Sequence, residues 1–107
     1  MLNRTLSNTV LKNVCGYTIA ISQSIDQRIH PGEIQLKLIE SGFRADLYII
    51  VYPSAVSLRS NSIDVSTLAQ KLGGGGHRNA SGIPLEDLSF NNVLKKIVEF
   101  IEDTKKI

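Results

Sequence analysis

The stretch Leu47-Tyr48-Ile49-Ile50-Val51-Tyr52-Pro53-Ser54-Ala55-Val56-Ser57-Leu58-Arg59 decides the fold. Its first six residues form a continuous apolar run rich in β-formers, the pattern of a central strand covered on both faces. Pro53 and Ser54 turn the chain. Val56 and Leu58 then alternate with Ser57 and Arg59, which predicts an antiparallel partner strand. A period of two puts Ser57 and Arg59 on one face and the apolar pair on the other.

Before this hairpin, residues 32–41 carry a mixed pattern. Ile34, Leu36 and Leu38 alternate as in a strand, whereas Ile34, Leu38 and Ile39 suit a helix. Pro31 at the start and Gly42 just past the end favour the helix. Tyr17, Ile19 and Ile21 alternate with Thr18, Ala20 and Ser22, which predicts a half-buried strand. Leu6, Val10, Leu11 and Val14 recur at helical spacing, which predicts a short helix over 5–14, ended by Gly16.

After the hairpin, Asp64 is a good N-cap, and Val65, Leu68, Ala69 and Leu72 mark one helix face. Gly73 stands where the helix must end. Residues 81–83 suit a short strand. Ser89 would cap a final helix, striped by Phe90, Val93, Leu94, Ile97, Val98 and Ile101. Strands and helices interleave, so the expected class is α/β, a small mixed β-sheet with helices packed on it.

A chain of 107 residues fits a single domain, 1–107, in which residues 1–14 are either a linker helix or part of the domain. With 42% hydrophobic and 21% charged residues, the composition is that of a folded globule, not a disordered segment. The net charge of +2 is too mild to imply duplex DNA or an anionic membrane. It is unevenly placed, however. Between Ala55 and Gly82 the bases are Arg59, Lys71 and Arg78, and the one acid is Asp64, so an anionic ligand is expected there. The lone Cys15 excludes an internal disulfide and a CxxC zinc knuckle, and reads as a buried free thiol. The first residues show no signal-peptide pattern, and no apolar run is long enough to span a bilayer. A cytoplasmic location and no membrane partner are expected.

The segment Leu72-Gly73-Gly74-Gly75-Gly76-His77-Arg78-Asn79-Ala80-Ser81-Gly82 carries the chemistry. A helix end needs one glycine, and further glycines cost backbone entropy. Bare backbone lets N–H groups converge as an anion nest and lets a ligand approach closely. His77 and Arg78 follow directly, and both donate to phosphate oxygens. The plain alternative is a flexible surface loop with two solvated bases. A P-loop is excluded because no lysine follows the glycines. The dinucleotide fingerprint is excluded because these glycines follow a helix instead of preceding one.

Ser57-Leu58-Arg59-Ser60, Asp64-Val65, Leu68-Ala69, the glycine run with His77, and Ala80-Ser81-Gly82 together resemble the signature of the DHH-associated C-terminal domain of DHH-family phosphoesterases. That family includes nano-RNases or oligoribonucleases, cyclic-dinucleotide phosphodiesterases and RecJ-like exonucleases. The close match covers residues 55–83. The resemblance implies a substrate-binding domain in which Gly74, Gly75, Gly76 and His77 meet a phosphate or terminal nucleotide and Arg59 joins them. Ser57, Arg78 and Asn79 are the neighbouring candidates. Alternatives stand for several of these residues. Arg59 could pair with a carboxylate, His77 could cap a helix end, and Asn79 could serve only the loop.

The family hydrolyses phosphodiesters at a two-metal centre in a separate N-terminal domain, which contains the Asp-His-His triplet. Here only His30 and His77 occur, without that triplet, and His30 before Pro31 reads as a turn residue. The resemblance therefore implies a chain that is not an enzyme by itself and takes no cofactor, with manganese belonging to the catalytic domain. The expected function is to position an oligonucleotide end or small nucleotide for that partner. The expected ligands are nano-RNA, 3′-phosphoadenosine 5′-phosphate, a cyclic dinucleotide or single-stranded DNA. A stand-alone nucleotide- or nucleic-acid-binding module, regulatory or tRNA-binding like the related domain of alanyl-tRNA synthetase, is the alternative.

Overall fold

The computed structural model describes residues 9–23, 29–60, 62–85 and 90–105. Six strands form one sheet: β1 (Val10–Val14), β2 (Tyr17–Gln23), β3 (Leu47–Val51), β4 (Ala55–Arg59), β5 (Gly75–His77) and β6 (Ala80–Pro84). Their order is β1-β2-β3-β4-β6-β5. The described helices are α1 (Pro31–Glu40), α2 (Val65–Lys71) and α3 (Phe90–Lys105). Only β2 and β3 run parallel, joined through α1, and every other pairing is antiparallel. The chain is thus an α/β fold on a mixed sheet, as its pattern predicts.

Strand β3 is covered on both faces. Leu47, Ile49 and Ile50 are fully buried, and Tyr48 is only 3% exposed. Leu47 and Ile49 pack with Ile19, Val56, Leu58 and Ile83 beneath Leu68 of α2 and Ile97 of α3. Tyr48 and Ile50 point the other way, under Ile34 and Leu38 of α1. Each fully buried side chain of this size contributes about 1.5–3 kcal/mol on leaving water.

The helices begin and end as local chemistry requires. Asp64 Oδ1 accepts from the Ser66 N–H at 3.0 Å and the Thr67 N–H at 3.4 Å, capping α2. His30 does the same for α1: its Nδ1 accepts from the Gly32 N–H at 2.9 Å, and Pro31 follows at the first helical position. At the end of α2, Gly73 has φ +87°. Its N–H donates to Gln70 O at 3.3 Å, and the Gly74 N–H donates to Ala69 O at 2.8 Å, a Schellman closure.

Two expectations fail at the N-terminal end. Residues 10–14 are not helix but strand β1, paired antiparallel with β2, and the remainder of 5–14 lies outside the described residues. The apolar spacing there does not report a buried face: Val10 is 53% and Leu11 48% exposed, on a strand at the sheet edge. Cys15 is exposed, not buried. It sits with Gly16 at the hairpin turn, both at positive φ (53° and 88°), where the tight two-residue connection places it outside the core. Ser89 and the side chain of Phe90, read as cap and stripe of the last helix, lie outside the description.

Two tyrosines of the β3 segment hold the two ends of α1. The Tyr48 hydroxyl donates to Phe43 O and accepts from the Ala45 N–H, both at 3.0 Å, just after the helix. The Tyr52 hydroxyl donates to Ile29 O at 2.8 Å, just before it. Burial pushes the Tyr52 phenol up to about 12, with the nearby Arg59 charge opposing. A proton held more tightly in the folded state means stability is lost as pH rises from about 10 toward 12. The expected result is a steeper alkaline loss of stability in the parent than in Tyr52→Phe. At neutral pH that variant should cost about 1 kcal/mol for the lost hydrogen bond. Denaturant unfolding of both proteins at pH 7, 10 and 11.5 checks this.

Candidate ligand-binding face

The register of the sheet sorts the candidate residues onto its two faces. Tyr48 pairs with Arg59, Arg59 with Ala80, and Ala80 with His77. One row on, Ile50 pairs with Ser57, Ser57 with Gly82, and Gly82 with Gly75. Residues paired directly across strands share a face. Ser57, Arg59, Gly75 and His77 therefore lie on the α1 face of the sheet.

Helix α1 lies over β3 and the adjoining part of β4 on that face, with Ala20 of β2 in the same cluster, and its Gln35 touches Arg59. Beyond it, among the described residues, no helix packs on this face of β6 and β5, and β4 is only partly covered. Ser57, Arg59, Gly75, Ala80 and Gly82 are partly exposed there, and His77 is exposed. The floor is made of small residues, with Arg59 at the inner side and His77 at the outer edge. Two strand spacings separate them, about 10 Å between backbones.

Arg59 is half-buried. Its Nε donates to Gln35 Oε1 at 2.7 Å, a neutral partner, and no carboxylate of a described residue forms an ion pair with it. Its guanidinium lies beside the first turn of α1, since a β-carbon at Gly32 would stand 3.5 Å from Arg59 Cζ. A helix start carries partial positive charge. The guanidinium and the helix end thus add positive potential at one spot, opposed by Glu33 in the same first turn.

The glycine run is not a loop. Gly75–His77 is strand β5, which departs from the expected anion nest. The N–H groups of Gly73 and Gly74 are engaged by α2 carbonyls, and along an extended strand successive N–H groups alternate in direction instead of converging. Three of the glycines answer to the fold. Gly73 takes the left-handed conformation that ends α2. A β-carbon on Gly74 would collide with the Gly82 carbonyl and stand 2.9 Å from Ile83 Cα. Gly76 has φ +147°, and a β-carbon there would come within 2.7 Å of Ala80 O and Ser81 Cα. Gly75 alone of the four meets nothing and has no positive φ.

Arg78 and Asn79 form the β5–β6 turn, both exposed. Their carbonyls are pinned: Arg78 O accepts from the Val65 N–H at 3.0 Å, and Asn79 O from the Ser60 N–H at 3.1 Å. The Asp64 carboxyl is held below its usual range, chiefly by the hydrogen bond from the Ser66 hydroxyl and least by the nearby Arg78 charge. Arg78 is thus close enough to Asp64 to lower it, on the side of α2. His77 does not cap a helix. It stands in β5, its carbonyl accepting from the Ser81 hydroxyl at 2.7 Å. Ser60 serves the turn after β4, donating to Asp46 O and accepting from the N–H groups of Ser62 and Ile63.

Sequence reasoning missed His30 as the cap of α1 and Gln35 as the partner of Arg59. A capping signal was present in His30-Pro31; a lone glutamine between Ile34 and Leu36 gives none. Among the described residues no cluster of three or more His, Cys, Asp or Glu could hold a metal ion, so the donors on this face do not fit one. No described helix is long and apolar enough to cross a membrane.

The model of the DHHA1 domain matches residues 7–105. No curated protein matches. Among solved structures, an uncharacterized protein from Helicobacter pylori G27 is 31% identical, at TM-score 0.52, over 94% of this chain and 29% of that one. The pGpG-specific phosphodiesterase PggH from Vibrio cholerae is 11% identical, at TM-score 0.64, over 95% of this chain and 37% of that one. The C-Ala domain of alanyl-tRNA synthetase from Aquifex aeolicus is 16% identical, at TM-score 0.56, over 84% of this chain and 96% of that one. The first two are far longer: this chain spans about a third of their length. The last two likenesses show the fold alone.

The three neighbouring glycines separate fold from ligand. Gly74→Ala and Gly76→Ala should each destabilise by about 1–3 kcal/mol through overpacking or backbone strain. Gly75→Ala should be neutral, or stabilising by up to about 1 kcal/mol through the unfolded chain. Urea denaturation of the three variants checks the order, and a Gly75→Ala loss as large as its neighbours' would contradict it.

Proposed function

Because this chain belongs to the DHHA1 domain family, we propose that its bare face binds the phosphate of a nucleotide or oligonucleotide end and presents it to a DHH catalytic domain. The observation that carries this reading is the arrival of Ser57, Arg59, Gly75 and His77 on one face, partly open among the described residues, from separate parts of the chain. Each has its task. Arg59 supplies a permanent charge that grips phosphate oxygens, His77 a second donor at the far edge, and Ser57 a hydroxyl between. Gly75 and Gly82 keep the floor bare, so that a flat group can lie against backbone. Arg78 and Asn79 at the adjoining turn add donors at the rim. Gly74 and Gly76 act indirectly, by letting β5 approach β6.

DHHA1 domains are accessory to the DHH catalytic domain in DHH phosphoesterases, and hydrolysis in this reading belongs to that partner. Its metal ions, manganese by family resemblance, are held there and not by this chain. A second reading is an RNA-binding module of the tRNA-binding kind; the fold it shares with the C-Ala domain, matched over 96% of that domain's length, is compatible with it. The two readings differ in the ligand that binds best. A phosphate-end site prefers a mononucleotide over its nucleoside, whereas a tRNA module binds folded RNA through many phosphates with a steep salt dependence.

Titration calorimetry with adenosine 5′-monophosphate and adenosine tests the proposal. The parent should prefer the phosphorylated ligand, and Arg59→Ala should remove about 1–3 kcal/mol of that affinity with little change in Tm. His77→Ala should lose a smaller part. Equal affinity for both ligands, or a large stability loss with unchanged binding in Arg59→Ala, would sink the assignment.

The division of labour gives a separate expectation. The purified chain should not hydrolyse a short oligoribonucleotide, with or without manganese. Turnover that co-purifies with the chain and stops on adding a chelator would overturn it.

A further inference from the structure

The contact between Arg59 and Gln35 has a geometry that bears on how the arginine works. Gln35 is a half-buried residue of α1, on the side of the helix that faces β4. Its Oε1 accepts from Arg59 Nε at 2.7 Å. A carboxylate in this place would pair with the guanidinium and cancel the charge that a ligand needs. An apolar residue would leave the head group to rotate about a flexible stem. An amide does neither: it fixes the Nε side and leaves the charge uncompensated. Gly32 lines the seat: a β-carbon there would be in ordinary contact with Arg59 Cζ at 3.5 Å and crowd the His30 ring at 3.1 Å.

We infer that Gln35 is a positioning residue for Arg59, holding it by Nε so that both Nη groups face the ligand end-on. This rests on the phosphate-binding reading above and adds a specificity. With Nε engaged, Arg59 grips two oxygens of one terminal phosphate through its Nη pair, instead of side-on through Nε and one Nη. Gln35 touches no ligand itself.

Two measurements separate this inference from the reading beneath it. In the ligand-free chain, the Arg59 Nε–H resonance should be resolved and protected from solvent exchange, and Gln35→Leu should abolish that protection. In the calorimetric comparison of adenosine 5′-monophosphate with adenosine, Gln35→Leu should lower the preference for the phosphate by about 3–10-fold, the scale of one misaligned charge-assisted contact. Gln35→Glu should lower it to the level of Arg59→Ala, because the charge is then paired. In an Arg59→Ala background Gln35→Leu should change it by less than about twofold, the mark of two residues acting as one unit. Leu36→Ala, an exposed neighbour on α1, should change nothing. The inference is overturned if Gln35→Leu leaves an Arg59-dependent preference intact, or costs as much without Arg59 as with it. A protected Nε–H alongside equal affinity of the parent for both ligands would overturn the phosphate reading, and the positioning role of Gln35 with it.

Discussion

Burial of β3 on both faces is the constraint from which the site follows. A strand apolar on both sides must have something packed over each. On one side α2 and α3 supply it, and on the other, among the described residues, α1 does with Ile29, Phe43 and Ala45 beside it. A helix with its side chains is about 10–12 Å across and covers roughly two strands spaced about 4.8 Å apart. The sheet has six strands. One helix placed over β3 and part of β4 therefore leaves β6 and β5 open on its side among the described residues. The bare face is thus a geometric remainder of how the core is closed, and the sequence furnishes it with small residues and two bases instead of apolar ones.

That division explains why some of the architecture could be read from residues alone. The run at 47–52 and the alternation at 56–59 report burial directly, so the β3–β4 hairpin was legible. So were Asp64 as a cap and Gly73 as a terminator, because caps obey local stereochemistry. The face shared by Ser57 and Arg59 was legible from period two. That His77 and Gly75 join them was not, since it depends on which strand pairs with which, a long-range fact. Strand β1 was misread because an edge strand is scarcely buried, so its apolar residues carry no reliable period. Cys15 was misread because a residue type's average burial yields to a turn's local geometry.

The glycine run is the most instructive case. Read as composition, four consecutive glycines ask for a ligand. In the fold, Gly73 ends a helix, and Gly74 and Gly76 allow two backbones to approach more closely than any β-carbon permits. Only Gly75 retains no internal demand. A motif with a strong functional resemblance is here largely a packing device, whose product is a strand that carries His77 to the same face as Arg59, two strands away.

The two ends of the sheet differ in how they meet solvent. The β5 end is three residues long and closed by a pinned turn, a poor template for another chain. The β1 end presents five residues, with Val10 and Leu11 both about half exposed. Among the described residues no strand pairs with its outer side, and an open edge of this kind invites intermolecular strand addition and aggregation. Lys12 stands at its centre. In a symmetric antiparallel pairing of two β1 edges about that residue, the two lysines would face one another, and like charges directly opposite are destabilising. The strand at greatest risk of unwanted self-association thus carries its own electrostatic guard, and a neutral residue at position 12 would remove it.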